Sequence, residues 1–413
     1  MRKLFYNPLQ IVTVDTKGKN FKRGSELSEL NTLEGYSIVV EDGIIKDFVK
    51  DKSKNVFFDE VIDLHGKTVL PGLVECHTHT AFAGSRASEF KLRLSGSSYE
   101  EIAEAGGGIA TTVNATRKAS KEELKSLMRK RIYNFIFQGI TTLEIKSGYG
   151  LNFEDEIKIL QAVSELNNEV PIDLISTFLG AHTIPPEFKE NREEYISLIN
   201  KKLLPYVAEN NLADYCDAFC EKTAFSAKEV DEIFTTAAHH KLKLRLHTEQ
   251  FNNIGGLDTA LKHKALSIDH LEVVAEKDIP KLANSETVAV LLPGVSFFLD
   301  YDFAPARKLI DSGSVVALST DYNPGSSNIS NLHFILSLAS LKMKMSIEET
   351  ISAATINAAK AMDLHRNIGS IEIGKKADFA VFDIPDYSGI SYNIGQNLNL
   401  MTIKDGEIIF NRE

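Results

Sequence analysis

The chain has 413 residues, of which 43% are apolar and 25% charged, with 25 glycines and 11 prolines. That is the balance of a globular protein and excludes disordered and fibrous chains. With 46 Lys plus Arg against 57 Asp plus Glu, the net charge of −11 repels a phosphate backbone and argues against nucleic acid as a partner. The three cysteines, Cys76, Cys216 and Cys220, are too few and too odd in number for a disulfide framework, and suit a reducing, cytoplasmic compartment. Cys216 and Cys220 lack the second pair that a structural metal site needs.

In chain order, the segment to residue 67 predicts strands at Ile11 to Val14 and Tyr36 to Val40, the latter entering a hairpin at Asp42-Gly43, a type I′ turn signal. The opening Met1 to Pro8 carries basic residues without the sustained apolar run of a signal peptide. From Thr68, apolar runs of strand length alternate with amphipathic runs of helix length. The eight strand candidates are Val69 to His79, Ile140 to Ser147, Asp173 to His182, Asp214 to Cys220, Leu242 to Thr248, Leu266 to Glu272, Val288 to Pro293 and Val315 to Asn323. Helices are predicted between them, such as Ser120 to Gln138, opened by a Ser120/Glu123 capping box, and Phe153 to Leu166. The longest apolar stretch, Val288 to Leu299, is broken by Pro293-Gly294 and is shorter than the roughly 18 residues of a membrane span, so no membrane partner is expected. Near the end, Ala377 to Phe382 and Met401 to Phe410 read as strands, the second turning at Asp405-Gly406.

Eight strand and helix pairs between Thr68 and Asn323 match the roughly 250 residues of a (β/α)8 barrel. The expected architecture is such a TIM barrel, over 68–363, with a smaller composite β-sandwich built from 1–67 and 364–413. A doubly wound sheet is the rival, but Gly106-Gly-Gly108 does not follow a strand as a nucleotide-binding turn must.

In a barrel the C-terminal strand ends converge on one face, so the residues there belong together. The first candidate strand ends His77-Thr78-His79, and alternation puts both imidazoles on one side. His182, His247, His270 and Asp321 close the third, fifth, sixth and eighth, so five of the eleven histidines sit at strand tips. Neutral imidazole and carboxylate suit zinc or iron, and three or four such ligands with an open position describe a catalytic centre. A bound dication would make water acidic near neutral pH and polarise a carbonyl, with Asp321 able to take the proton and His270 to stabilise or shuttle it. The fourth strand, Tyr215 to Cys220, offers no lysine of the kind that bridges two ions, so one ion per subunit is expected. His65, His239, His240, His263, His333 and His365 lie in turns or helical stretches and receive no role.

These residues resemble the amidohydrolase superfamily. Val69-Leu-Pro-Gly-Leu-Val-Glu-Cys-His-Thr-His79 is similar to its first-strand signature, and Gly369-Ser-Ile-Glu-Ile-Gly-Lys-Lys-Ala-Asp-Phe379 to its return into the β domain. Phe82 to Arg86, Ala105 to Ile109, Ala115 to Arg117, Lys146 to Leu151 and Asp321 to Ser326 narrow the resemblance to its imidazolonepropionase family. The resemblance implies hydrolytic opening of 4-imidazolone-5-propanoate to N-formimidoyl-L-glutamate in histidine degradation. It implies His77, His79, His247 and Asp321 as ligands of a zinc or iron ion, and Arg86, Tyr149, His182, Asn323, Gly325 and Ser326 as contacts to a small-molecule substrate. It also places His270 and Gln250 near the reacting carbonyl, in a homodimer. Arg86 offers a forked donor to a propionate. Some relatives carry glutamate at Gln250; an amide cannot act as a base, so proton transfer falls to Asp321 with His270, or to Glu249. The competing readings are another mononuclear amidohydrolase, such as a guanine or aminoazine deaminase, which would not need Arg86, and a non-catalytic scaffold, which would bind no metal.

Overall fold

The computed structural model describes residues 1–50, 57–96 and 107–412. Ala105 and Gly106 of the glycine-rich motif lie outside the described residues; Gly108 precedes the helix Ile109–Lys118.

The N-terminal segment forms β1 (Arg2–Tyr6), β2 (Gln10–Val12), β3 (Thr32–Leu33), β4 (Ser37–Glu41), β5 (Ile44–Val49), β6 (Glu60–Asp63) and β7 (Thr68–Pro71). The barrel strands follow as β8 (Leu73–Glu75), β9 (Ile140–Lys146), β10 (Asp173–Ala181), β11 (Tyr215–Cys220), β12 (Lys243–Thr248), β13 (Ser267–His270), β14 (Val288–Leu291) and β15 (Val315–Leu318). The chain ends with β16 (Phe379–Phe382), β17 (Asn399–Lys404) and β18 (Glu407–Asn411).

One sheet has the order β5-β4-β1-β6, and a second, β18-β17-β16-β7-β2-β3, joins strands from both ends of the chain. Phe5, Ile38, Val69, Phe379 and Ile403 fill the core of this β domain, with Phe5 edge-on to Phe379 at 5.3 Å between ring centroids. Both hairpin turns are as the sequence predicts. Asp42 and Gly43 have φ of 50° and 77°, and Asp405 and Gly406 have 49° and 76°, the two successive positive values of a type I′ turn.

The eight strands β8 to β15 pair in sequential order, each parallel to the next, as a (β/α)8 barrel requires. The helices between them start where local chemistry demands. Lys121–Ile136 carries the Ser120/Glu123 capping box, and Phe153–Asn167 is capped by Asn152. The apolar Val288 to Leu299 stretch divides into β14 and the helix Pro293–Leu299, and among the described residues no helix is long and apolar enough to cross a membrane.

One expectation needs correction. The predicted first strand, Val69 to His79, is two strands belonging to two domains. Gly72 donates to Asp378 of the β domain at 2.8 Å, while the next residue, Leu73, donates to Gly139 at the start of β9 at 2.9 Å. A Cβ on Gly72 would lie 2.3 Å from Thr141 Oγ1, so only glycine lets the chain cross from sandwich to barrel here. Hydropathy could not show the break, because the residues on both sides are apolar and buried. Barrel closure also falls beyond the strands. Thr78 bridges Tyr322, His79 N–H donates to the Tyr322 carbonyl at 2.9 Å, and the Glu75 carboxylate accepts from Ser319 Oγ and, at 3.1 Å, from Thr320 N–H.

Candidate active site

The polar residues at the C-terminal end of the barrel do come together. His77 and His79 lie just past β8, His247 on β12, His270 at the end of β13, and Asp321 three residues beyond β15. His77 Nε2 and His79 Nε2 each stand 3.3 Å from Asp321 Oδ1, and His79 Nε2 is 3.4 Å from His247 Nε2. Ligand atoms set tetrahedrally at about 2.1 Å from one ion stand about 3.4 Å apart, so these spacings fit a shared cation.

Proton positions support the fit. His77 Nδ1 donates to Asp269 Oδ2 at 2.7 Å and His247 Nδ1 to Asp217 Oδ1 at 3.0 Å, inside a fully buried site. A neutral imidazole that gives away its Nδ1–H in this way keeps Nε2 as a bare lone pair, the form in which it ligates a metal. His77 Nε2 then faces Asp321 Oδ1, acceptor against acceptor, and neither atom has a hydrogen-bond partner among the described residues. Two buried lone pairs opposed in this way are costly unless a cation lies between them. His77, His79 and His247 form one group that could hold a metal ion, and His77, His270 and Asp321 another, the chosen atoms lying within 4.8 Å of one another in each.

His270 has φ of 89° and its neighbour Leu271 68°, uncommon values for non-glycine residues that turn the chain sharply at the tip of β13. Burial alone would lower the His270 pKa, but the Glu272 carboxylate, 3.4 Å from Nδ1, more than offsets this and raises it. His182 stacks on His79 at 5.2 Å between centroids and donates Nδ1–H to the Gly148 carbonyl at 2.9 Å. Burial, with His79 adding to it, pushes its pKa down to about 3, so it is neutral with Nε2 as an acceptor. Tyr149 packs edge-on to His182 at 5.4 Å. Its loop is held by the buried Glu156 carboxylate, whose Oε1 accepts from the N–H groups of Gly148, Gly150 and Leu151 at 3.1, 2.8 and 2.9 Å.

Arg86 is pinned through Nε to Glu89 at 2.7 Å, and its guanidinium lies against the backbone of Gly325, where an added Cβ would be 2.1 Å from Nη1. Asn323 spends its amide on the same loop. Its Oδ1 accepts from the N–H groups of Gly325 and Ser326 at 2.8 and 2.7 Å and from Ser326 Oγ, and its Nδ2 donates to the Asp321 carbonyl at 2.7 Å. It therefore sets the turn that carries Asp321 and presents Gly325 to Arg86. Gln250 Nε2 donates to the Tyr301 hydroxyl at 3.1 Å. Glu249 is fully buried, with neither carboxylate oxygen partnered among the described residues, and burial pushes its pKa to about 8.

Sequence reasoning missed the layer beneath these imidazoles. Glu144 and Lys146 on β9, Asp217 on β11, Arg245 on β12 and Asp269 on β13 are all fully buried. A lysine does close a barrel strand, Lys146 at the end of β9, but its ammonium is held by Glu144 and Asp217 at 2.8 Å each, so it is no bridging ligand. The available signal was charge inside runs whose length and apolarity mark them as buried strands. The free cysteines Cys216 and Cys220 are buried on β11.

A barrel with this polar face, closed at one side by a β domain from both termini, defines a metal-dependent hydrolase of the amidohydrolase class. A family model described as "Amidohydrolase family" matches residues 102–410. The imidazolonepropionase of Clostridium tetani is 42% identical over 412 residues, covering 98% of this chain and 97% of that protein. That of Alkaliphilus oremlandii is 44% identical over 408 residues, covering 98% and 96%. The chain belongs to the imidazolonepropionase family of amidohydrolases. Solved structures share the fold. A triazine hydrolase variant superposes with a TM-score of 0.78 at 17% identity, covering 98% of this chain and 94% of that one. An adenosine deaminase from Xanthomonas campestris with bound zinc gives 0.73 at 16%, covering 98% and 92%.

Proposed function

We propose that this chain opens the ring of 4-imidazolone-5-propanoate with water to give N-formimidoyl-L-glutamate, the hydrolytic step in histidine degradation. The observation that carries the reading is the spacing of His77, His79, His247 and Asp321, 3.3 to 3.4 Å between facing ligand atoms, in a chain of this family. These four residues would hold one zinc or iron ion per subunit. When bound, such an ion would lower the pKa of water toward about 7 and polarise a carbonyl.

The remaining chemistry belongs to the side chains. Asp321 takes the proton of the attacking water, whose oxygen bonds to the ring amide carbon. His270, close to Asp321, stabilises the developing charge and passes a proton to the ring nitrogen as the C–N bond breaks. His182 Nε2 and Tyr149, whose rings meet edge to face beside His79, orient the substrate ring, and Arg86 receives the propionate. Gln250, an amide donor, orients substrate or water. A homodimer in the cytoplasm is the assembly proposed, two-fold pairing being the commonest in soluble enzymes.

The test is to follow the ultraviolet absorbance of imidazolone propionate with the purified protein, before and after chelation and after zinc or iron is restored. Loss of absorbance without ammonia release, abolished by chelation, is expected. Ammonia release from an aminoazine or guanine with no action on the imidazolone would instead assign a deaminase, and absence of bound metal would assign a scaffold.

A further inference from the structure

Beneath the proposed metal centre, one buried cation touches both elements that shape it. Lys146 is wholly inaccessible to solvent. Its ammonium sits 2.8 Å from Asp217 Oδ2, and the other oxygen of that carboxylate, Oδ1, accepts from His247 Nδ1 at 3.0 Å. The ammonium is also 2.8 Å from Glu144 Oε1, and Glu144 Oε2 accepts from the backbone N–H of Thr78, the residue between His77 and His79, at 3.0 Å. The backbone adds a third link, Lys146 N–H donating to the Thr78 carbonyl at 3.0 Å.

We propose that Lys146 is a positioning residue for the metal centre: through Asp217 it fixes the tautomer and ring orientation of His247, and through Glu144 it fixes the backbone that aims His77 and His79. The physical reason is charge and geometry together. Two carboxylates buried in one barrel layer repel each other, and without the ammonium between them they turn apart. A rotated Asp217 no longer accepts from His247 Nδ1, so the Nδ1–H tautomer that leaves Nε2 free loses its support. A displaced Glu144 releases Thr78 and with it the angle between the two imidazoles. Lys146 thus acts at a distance, touching neither metal nor substrate.

The inference rests on the metal centre proposed above, and metal affinity separates the two. Apoprotein prepared by chelation is titrated with zinc against a chromophoric chelator, and with cobalt(II) to read ligand geometry from the visible absorption. If the unaltered chain binds neither ion, the centre itself is wrong and the inference falls with it. If it binds, Lys146→Met is expected to raise the zinc dissociation constant by about 10–100-fold, with a changed cobalt spectrum. Asp217→Asn, nearly the same size, should do likewise, since an amide cannot both face the ammonium and accept from Nδ1–H. The double variant should lose less than the sum of the two single losses, because both changes break the Lys146–Asp217 contact and only Lys146→Met also frees Glu144. Circular dichroism of each apoprotein shows which variants fold, and Asp217→Asn carries the test if Lys146→Met does not. Zinc affinity within twofold of the unaltered chain in a folded variant, or additive losses in the double, overturns the assignment.

Discussion

The backbone N–H of His79 donates to the carbonyl of Tyr322 at 2.9 Å, and this bond joins the first segment of the barrel to the last. His77 and His79 thereby come beside Asp321, residues separated by most of the chain. A cation held by all three spans the seam where the barrel closes. Zinc added to chelated protein at about 100 times its dissociation constant should then stabilise the fold by about 2.7 kcal/mol, a rise of a few degrees in melting temperature. Scanning calorimetry checks this, and Asp321→Ala should abolish the shift. An equal shift in that variant would remove Asp321 from the centre.

Gly325 has no room for a side chain because the Arg86 guanidinium occupies the space, 2.1 Å from where a Cβ would stand. Arg86 cannot easily retreat, since its Nε is held by Glu89 at 2.7 Å. If Arg86 receives the propionate as proposed, Gly325→Ala should displace its guanidinium and raise KM about tenfold while kcat changes by no more than about threefold. Steady-state kinetics decides it. A fall in kcat with KM unchanged would mean that Arg86 does not meet the substrate in its ground state.

The Tyr149 loop depends on a carboxylate that never reaches solvent. Glu156 Oε1 accepts from the N–H groups of Gly148, Gly150 and Leu151 in one loop, and Oε2 also accepts from Gly148 N–H at 3.2 Å, the oxygen that glutamine would replace with an amide donor aimed at another donor. Glu156→Gln is expected to destabilise the fold by about 1–3 kcal/mol and to raise KM through a loosened Tyr149. Urea denaturation and kinetics on one preparation test both halves; unchanged stability would show that the loop holds itself.

Acid should weaken the fold through His333, far from the candidate site. This imidazole is buried and donates Nε2–H to the Gln138 carbonyl at 2.9 Å, and burial pushes its pKa from 6.5 down to about 4. Between those values the unfolded chain takes up a proton that the native one refuses. Its contribution is fully present above pH 6.5 and is lost as the pH falls toward 4, by at most about 1.4 kcal/mol per pH unit. His333→Gln keeps the donor and removes the titration, so its stability should decline less steeply across this window. Parallel curves for the two proteins would assign the acid sensitivity elsewhere.

The barrel, the terminal origin of the β domain and both type I′ hairpins were legible in the linear chain, because hydrophobic period and turn chemistry are local properties. The residues at the strand tips were legible too, since strand order in a barrel sends every C-terminal end to one face. Three things were not. The transfer between domains at Gly72 is written only in its contact with Thr141, a residue distant in sequence. The place of Asn323 before Pro324 hinted at a turn, but the hydrogen bonds by which it builds that turn appear only in the fold. The charged layer of Glu144, Lys146, Asp217, Arg245 and Asp269 is dispersed over four strands, and pairing in space is what makes those ions tolerable at zero exposure. Sequence by itself determined which side chains could do the chemistry. Only the closed barrel decided their partners, because burial turns an ordinary surface charge into one that must find its counter-ion within hydrogen-bonding distance.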